Sequence, residues 1–417
     1  MASLMLFIYR ILIWIVLAPL CAVVRNHPNF KGTIASRLSI NMPSRPAGEL
    51  VWLHCASLGE VRAAEMLIDA LRKIRPNLLI YVSSMTATGR DAALKTPGID
   101  HIFPFPFDLA PVMRRFIKHL KPSVIAIMET EIWPNLLVAA QKENLPVVFI
   151  NARLSEKSVR NYKLIKPLIS KIFGNSSVLA TSDTFAGRFT SIGAREVKVT
   201  GNIKFDAIKS ADPSKKKELK ENINAIGRPV FIAGSVREGE EKFVIDAIKY
   251  ASLKISGLVS IIVPRHPGRV GVLCNTAKAA GLSFSLRSSG NSSDIIIVDT
   301  MGELFNLYGA ADVAFVGGSL VNVGGQNILE PLAWGVPTIH GQYMSNFNWA
   351  LDVVGQWTVN VKSPENLGTV VVDIFGNLNI YNKMAEGALC SISKLKGISM
   401  QYAEKIVLLL ENNKLLH

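Results

Sequence analysis

The run Gly324-Gly325-Gln326-Asn327-Ile328-Leu329-Glu330-Pro331 follows an apolar stretch, 312–316, that ends in Gly317-Gly318-Ser319. A strand that breaks into glycines before a helix leaves backbone N–H groups and a helix N-terminus where an anion can dock. A carboxylate in the first helical turn, here Glu330, could then accept from ribose hydroxyls, as acidic residues do in other nucleotide folds. Far upstream, His54-Cys55-Ala56-Ser57-Leu58-Gly59-Glu60 also joins a strand pattern to a helix pattern. Ser57 and Glu60 have the spacing of a capping box, in which the serine caps and the acid closes the first turn. Glu60 is equally a carboxylate at the carboxyl end of a parallel strand, the usual place for chemistry in such sheets. Two clefts of this kind in one chain suggest that a nucleotide-activated group is handed to a second substrate.

Other strand ends carry candidates too. Met128-Glu129-Thr130-Glu131-Ile132-Trp133-Pro134 puts two acids after a strongly apolar run, and unpaired buried carboxylates are too costly to be explained by packing. They could instead cap a helix beginning near Pro134. Arg153, in Asn151-Ala152-Arg153-Leu154-Ser155-Glu156-Lys157-Ser158, could grip an anion. Lys204, in Gly201-Asn202-Ile203-Lys204-Phe205-Asp206, could neutralise a leaving phosphate or simply be a solvated lysine. In the second half, Ser235-Val236-Arg237-Glu238-Gly239-Glu240-Glu241 repeats the strand–turn–helix pattern. Arg265, after Pro264, suits a phosphate, and Thr300-Met301-Gly302-Glu303 could hold a base through backbone groups. No Asp-x-Asp, Walker loop, Gly-x-Gly-x-x-Gly or His/Cys/carboxylate cluster with ligand spacing occurs, so nothing calls for a metal or a dinucleotide.

The elements that position these residues read as alternating βαβ. Strand patterns fall at 49–53, 78–82, 124–128, 147–150, 177–181 and 197–200, then at 229–233, 258–263, 295–298, 313–316 and 337–339. Helix patterns lie between them, such as 61–74 with Val61, Ala64, Ile68 and Leu71 on one face. This alternation implies mostly parallel sheets covered on both sides. A chain of 417 residues exceeds one ordinary core. The polar stretch Ala211-Asp212-Pro213-Ser214-Lys215-Lys216-Lys217 divides it. The expected order is an N-terminal anchor (1–26), a first doubly wound domain (27–208), a linker region (209–228), a second such domain (229–398) and a C-terminal helix (399–417).

Four scattered cysteines, Cys21, Cys55, Cys274 and Cys390, argue for a reducing compartment and against a disulfide framework or zinc site. Forty-six Lys and Arg against 32 Asp and Glu give a net charge of +14, which nucleic acid or anionic lipid would explain. The N-terminus favours lipid. Residues 4–24 are apolar except for Arg10, and Arg25, Lys31 and Arg37 follow. About 20 such residues could span a bilayer. A cleaved signal peptide would need a better small-residue site than Ala18-Pro19-Leu20. A buried core helix is possible too, although Tyr9 and Arg10 interrupt its apolar run. A retained anchor whose basic flank meets anionic headgroups fits best and places the body on the cytoplasmic side.

Taken together, the segments HCASLGEV, METEIWPN, NARLSEKS, GNIKFD, AGSVREGEE, VPRHPGR, DTMGEL, FVGGSLV and GGQNILEP resemble, in order, the 3-deoxy-D-manno-octulosonic acid (Kdo) transferases of lipopolysaccharide synthesis. The resemblance implies a GT-B glycosyltransferase, with two Rossmann-like domains facing a central cleft, that moves Kdo from CMP-Kdo to a lipid A precursor (lipid IVA) at the inner membrane. It implies no metal or other cofactor. It maps the general base onto Glu60 and transition-state stabilisation onto Glu129 and Lys204. CMP contacts map onto Pro264, Arg265, Met301, Gly302, Glu303, Asn327, Ile328, Leu329 and Glu330. Two positions depart from the family pattern: Gln326 and Arg237 stand where it usually or often has His. Another anchored GT-B transferase with a different nucleotide sugar, or a non-catalytic membrane tether, are the alternative readings. The tether leaves Glu60, Glu129 and Glu131 unexplained, and no aromatic–basic pattern favours nucleic acid.

Overall fold

A computed structural model describes every residue except Arg25, Pro46, Ser292 and 415–417, and the side chains of 18, 20–24 and 414 also lie outside the description. The chain forms two compact units, one of Met1–Ala207 with Gly397–His417, the other of Ile208–Lys396.

The first unit holds a seven-stranded sheet of β1 (Leu50–His54), β2 (Leu79–Ser84), β3 (His101–Pro104), β4 (Val124–Met128), β5 (Val147–Ala152), β6 (Ser176–Ala180) and β7 (Glu196–Val199), in the order β3-β2-β1-β4-β5-β6-β7. Every pairing is parallel. Strands β1, β4, β5 and β6 are buried along their whole length, which is why they read as unbroken apolar runs rather than alternating ones. Trp52, Phe116, Phe149 and Phe173 fill the core on one side of the sheet. The helix Leu58–Ile74 starts at Ser57, whose side chain accepts from Glu60 N, and buries Val61, Ala64, Leu67, Ile68 and Leu71. That 3.6-residue spacing is what sets its inward face.

The second unit repeats the design. Its strands are β8 (Val230–Val236), β9 (Val259–Pro264), β10 (Ser285–Leu286), β11 (Ile295–Ile297), β12 (Val313–Val316), β13 (Thr338–Gly341) and β14 (Val359–Val361), in the order β10-β11-β9-β8-β12-β13-β14, again all parallel. Three strands escape the sequence patterns: β3, β10 and β14, each at a sheet edge. An edge strand needs less apolar sequence, because part of it faces solvent; β3 and β14 are only partly buried.

The C-terminal helix Ile398–Lys414 belongs to the first unit and lies against the helix Leu58–Ile74. Asp206 caps its start, accepting from Gly397 N at 2.7 Å and Ser399 N at 2.5 Å, while Tyr402 OH donates to Gly201 O at 2.6 Å.

The N-terminal segment corrects an expectation. Residues Ala2–Val24 form one helix, yet among the described residues no helix is long and apolar enough to cross a membrane. This helix instead lies along the first unit. Leu6 is buried there, with Met5, Tyr9, Ile13 and Leu17 packed beside it. The two residues that interrupt the apolar run supply the attachment: Tyr9 OH donates to Asp108 Oδ2 at 2.7 Å, and Arg10 Nε donates to Asn135 Oδ1 at 2.8 Å. The opposite face, with Leu4, Phe7, Ile8, Ile11, Leu12 and Ile15, is exposed. Asp108 is itself fully buried and also takes Asn135 N at 3.0 Å and Leu136 N at 2.8 Å, the first turn of the helix Pro134–Lys142. Burial pushes its carboxyl up to about 7, against the pull of these donors.

Asp108→Ala strands two backbone donors and a phenol. It should lower the urea midpoint of the first unit by the equivalent of about 3 kcal/mol, whereas Tyr9→Phe, which leaves the backbone donors partnered, should cost about 1 kcal/mol.

Candidate functional site

Glu60 sits where both of its sequence readings hold. Ser57 Oγ accepts from Glu60 N at 3.4 Å and donates to Glu60 Oε1 at 3.1 Å, and Ala56 N donates to Oε2 at 2.8 Å. This is a capping box shifted by one residue, since the backbone donor is Ala56 rather than Ser57 itself. The carboxyl is nevertheless pushed up to about 7. Burial is the main cause; the Ala56 hydrogen bond opposes it, the negative charge of Glu129 adds to it, and Ser57 and Glu131 contribute less. A carboxyl with that value is part ionised near neutral pH and can take up a proton, and its two donors fix its orientation.

Glu129 follows β4 in the left-handed region, at φ +54, a conformation costing a side-chain-bearing residue about 1–2 kcal/mol. Its N–H continues the ladder to Ile150 O, and its carboxylate pairs with Arg153. Asn151, at φ +54 in an irregular stretch of β5, turns its side-chain oxygen to Ile203 N at 3.2 Å. That bond and the bond from Lys204 N to Asn202 Oδ1 at 3.1 Å shape the turn carrying Lys204. The lysine's pKa is lowered by burial first and by the Arg153 charge next, with Glu129 pulling the other way. Glu60, Glu129 and Lys204, far apart in sequence, thus belong to one electrostatic cluster that also includes Glu131 and Arg153. Burial raises Glu131 as well. An open groove of about 650 Å³ begins at Glu129 and Arg153 and runs past Ser155, Ser158, Tyr162 and Arg188.

In the second unit, a cavity of about 120 Å³ is lined by Ser235, Pro264, Arg265, Met301, Gly302 and Glu303, among others. Five of the residues marked in the sequence as nucleotide contacts therefore share one cavity wall. Glu303 is already engaged by Thr300 and, at 3.3 Å, by Arg287. The remaining four lie elsewhere. Ile328 and Leu329 are buried, so only their backbone can reach a ligand. Asn327 Nδ2 donates to Glu330 Oε1 at 3.1 Å, and Asn327 Oδ1 accepts from Leu329 N at 3.2 Å. Burial raises Glu330, with Asn327, Lys209 and Arg265 opposing.

The glycines of this region have a packing role as well. The helix after them is a single turn, Leu329–Ala333, too short for a strong dipole, and Asn327 already occupies one of its first donors. A Cβ on Gly324 would fall 2.4 Å from Asn346, and one on Gly325 2.3 Å from Met344. Gly325 N donates to Gly318 O at 2.7 Å. The glycines are there to let two loops touch.

Sequence reasoning passed over Glu240, although it stands three residues after Arg237 as Glu60 stands after Ser57. Fully buried, it accepts from Arg237 N at 2.9 Å, Gly318 N at 2.6 Å, Ser319 N at 2.9 Å and Leu320 N at 2.9 Å. It thereby joins the loops that follow β8 and β12. Among the described residues no group of three His, Cys, Asp or Glu is placed to hold a metal ion.

The family profile described as "3-Deoxy-D-manno-octulosonic-acid transferase (kdotransferase)" matches residues 33–207. The 3-deoxy-D-manno-octulosonic acid transferase of Haemophilus influenzae is 35% identical over 330 residues, 77% of this chain and 77% of that protein. The one from Bordetella pertussis is 35% identical over 319 residues, 72% and 73% of the two chains. A solved glycosyltransferase of Rickettsia africae covers 88% of this chain and 99% of its own at a TM-score of 0.54 and 15% identity, which is a likeness of fold.

Removing the Glu240 carboxylate leaves four backbone donors without an acceptor. Glu240→Ala should therefore destabilise the second unit by about 3 kcal/mol or more in chemical unfolding, and Glu240→Gln, which keeps one acceptor oxygen, by less.

Proposed function

The chain belongs to the 3-deoxy-D-manno-octulosonic acid transferase family, and on that premise we propose that it moves Kdo from CMP-Kdo to a lipid A precursor, lipid IVA, by one inverting displacement that needs no metal. The observation that carries the reading is the Glu60 carboxyl, oriented by Ala56 and Ser57 and pushed up to about 7 beside Glu129. Glu60 takes the proton from an acceptor hydroxyl as that oxygen bonds to the anomeric carbon of Kdo. The bond from that carbon to the CMP phosphate oxygen breaks, and its electron pair leaves with CMP. Glu129 and Lys204 stabilise charge during transfer. Arg265, with Pro264, Met301, Gly302 and Glu303 around it, receives the nucleotide, and Asn327 and Glu330 contact it beside the one-turn helix. Donors aimed at developing charge in comparable sites are worth about 3–4 kcal/mol.

The same proposal places the enzyme on the cytoplasmic face of a bacterial inner membrane. Its support is the exposed apolar face of the helix Ala2–Val24 together with a net charge of +14. Such a helix lies in the interface with its apolar side in the lipid, and basic residues nearby gain from anionic headgroups.

Glu60→Gln should reduce transfer by about 10²–10⁴-fold while CMP-Kdo still binds, as measured by turnover with lipid IVA and by donor binding; near-normal turnover would remove Glu60 from the base role. The base acts ionised, so kcat/KM should rise as pH increases through about 7 and level off above it. That limb should be absent from the residual activity of Glu60→Gln.

A further inference from the structure

Two polar side chains, Arg237 and Gln326, approach each other over Gly318. A methyl group on Gly318 would lie 3.2 Å from Arg237 Cγ and 3.3 Å from Gln326 Nε2. Gly318 turns in the left-handed region at φ +69, so the space above it is kept free for these side chains. The backbone of Arg237 is pinned as well. Its N–H and that of Gly318 donate to the same oxygen, Glu240 Oε2. The guanidinium is held from the other side, with Nη1 2.8 Å from His266 Nε2. A guanidinium only donates, so His266 accepts there through an unprotonated nitrogen. His266 follows Arg265, whose N–H donates to Val236 O at 2.9 Å and so fixes the end of β9 beside the end of β8.

Arg237 and Arg265 stand apart from the other arginines of this unit in charge pairing. In the same unit, Arg228, Arg269, Arg287 and Lys220 all pair with carboxylates. Among the described residues no carboxylate lies within ion-pair distance of Arg237. A guanidinium held by an imidazole nitrogen in an exposed contact, with no carboxylate of its own, is arranged to receive an anion. It stands outside the cavity of Ser235 and Arg265 but on the ends of the same two strands.

We propose that Arg237, steadied by His266 and assisted by the Gln326 amide, is the specificity-determining residue for the carboxylate of the transferred sugar. This rests on the reading of the donor as a nucleotide-linked sugar acid. A planar fork matches a planar carboxylate better than it matches one phosphate oxygen. Arg265, on the cavity wall, is left for the nucleotide phosphate. The sugar acid's carboxylate and the nucleotide's phosphate are both anions, and the comparison of CMP with CMP-Kdo tells them apart.

The experiment uses the full chain and measures kcat and KM for CMP-Kdo, with the inhibition constant of CMP, in wild type, Arg237→Gln, Arg237→Lys and Gln326→Ala. Arg237→Gln should raise KM for CMP-Kdo roughly 10- to 100-fold, the size of a lost hydrogen bond to a charged group, and leave CMP inhibition within about twofold. Arg237→Lys should recover part of the loss, because it keeps the charge but not the fork. Gln326→Ala should shift KM in the same direction by less. If Arg237→Gln weakens CMP and CMP-Kdo by the same factor, the residue serves the phosphate and the proposal is overturned; it is equally overturned if neither changes. Should Arg237→Gln fail to fold, Arg237→Lys decides by the same two constants. Failure of the wild type to use CMP-Kdo would instead sink the donor reading.

Discussion

Each sheet reverses its strand order beside its first strand, and that reversal governs where everything else can go. In the first unit β1 runs parallel between β2 and β4; in the second, β8 lies between β9 and β12. The chain leaves the carboxyl ends of β1 and β4, or of β8 and β12, in opposite directions, so a gap opens that no connection covers. Both units put a glutamate into it, from the start of the helix that follows the first strand. In the second unit Glu240 meets four backbone donors and spends its acceptor capacity on holding two loops together. In the first unit Glu60 meets one backbone N–H and one hydroxyl. The same position therefore yields a structural carboxylate in one unit and an available one in the other, according to the number of donors around it.

Backbone strain is concentrated at the same edges. Glu129 after β4, Asn151 in β5 and Ser235 in β8 all adopt positive φ without being glycine. Each lets the chain turn sharply at the strand tip. Packing on both sides of a continuous parallel sheet provides the stability against which such costs are small. Gly317 makes the opposite point. A Cβ there would sit 2.5 Å from Ser235 O, so the loops after β8 and β12 come together only because one of them has no side chain.

The central strands were legible because burial on both faces forces unbroken apolar sequence, and the short motifs were legible because they fall at strand ends. What was not legible depended on distant partners. The apolar run 4–24 has the same composition whether it crosses a bilayer or docks on a domain. Asp108 and Asn135, 99 and 125 residues away from Tyr9 and Arg10, decided that question. The glycines at 324 and 325 read as an anion cradle in the sequence, while the approach of Asn346 and Met344 to them was not legible there. Glu240 could have been found by the three-residue spacing that marked Glu60; its signal was hidden among the acids Glu238 and Glu241.

The turn that carries Lys204 is closed by residues from the far end of the chain, Asp206 capping the last helix and Tyr402 reaching Gly201. The intervening second unit is one continuous stretch of sequence. During synthesis every charged group of the Glu60 cluster has thus emerged before the second unit begins, but the brace behind Lys204 emerges only after that unit is complete. The second unit can fold by itself in the meantime. The order of manufacture therefore completes the turn that carries Lys204 only after the second unit has been made.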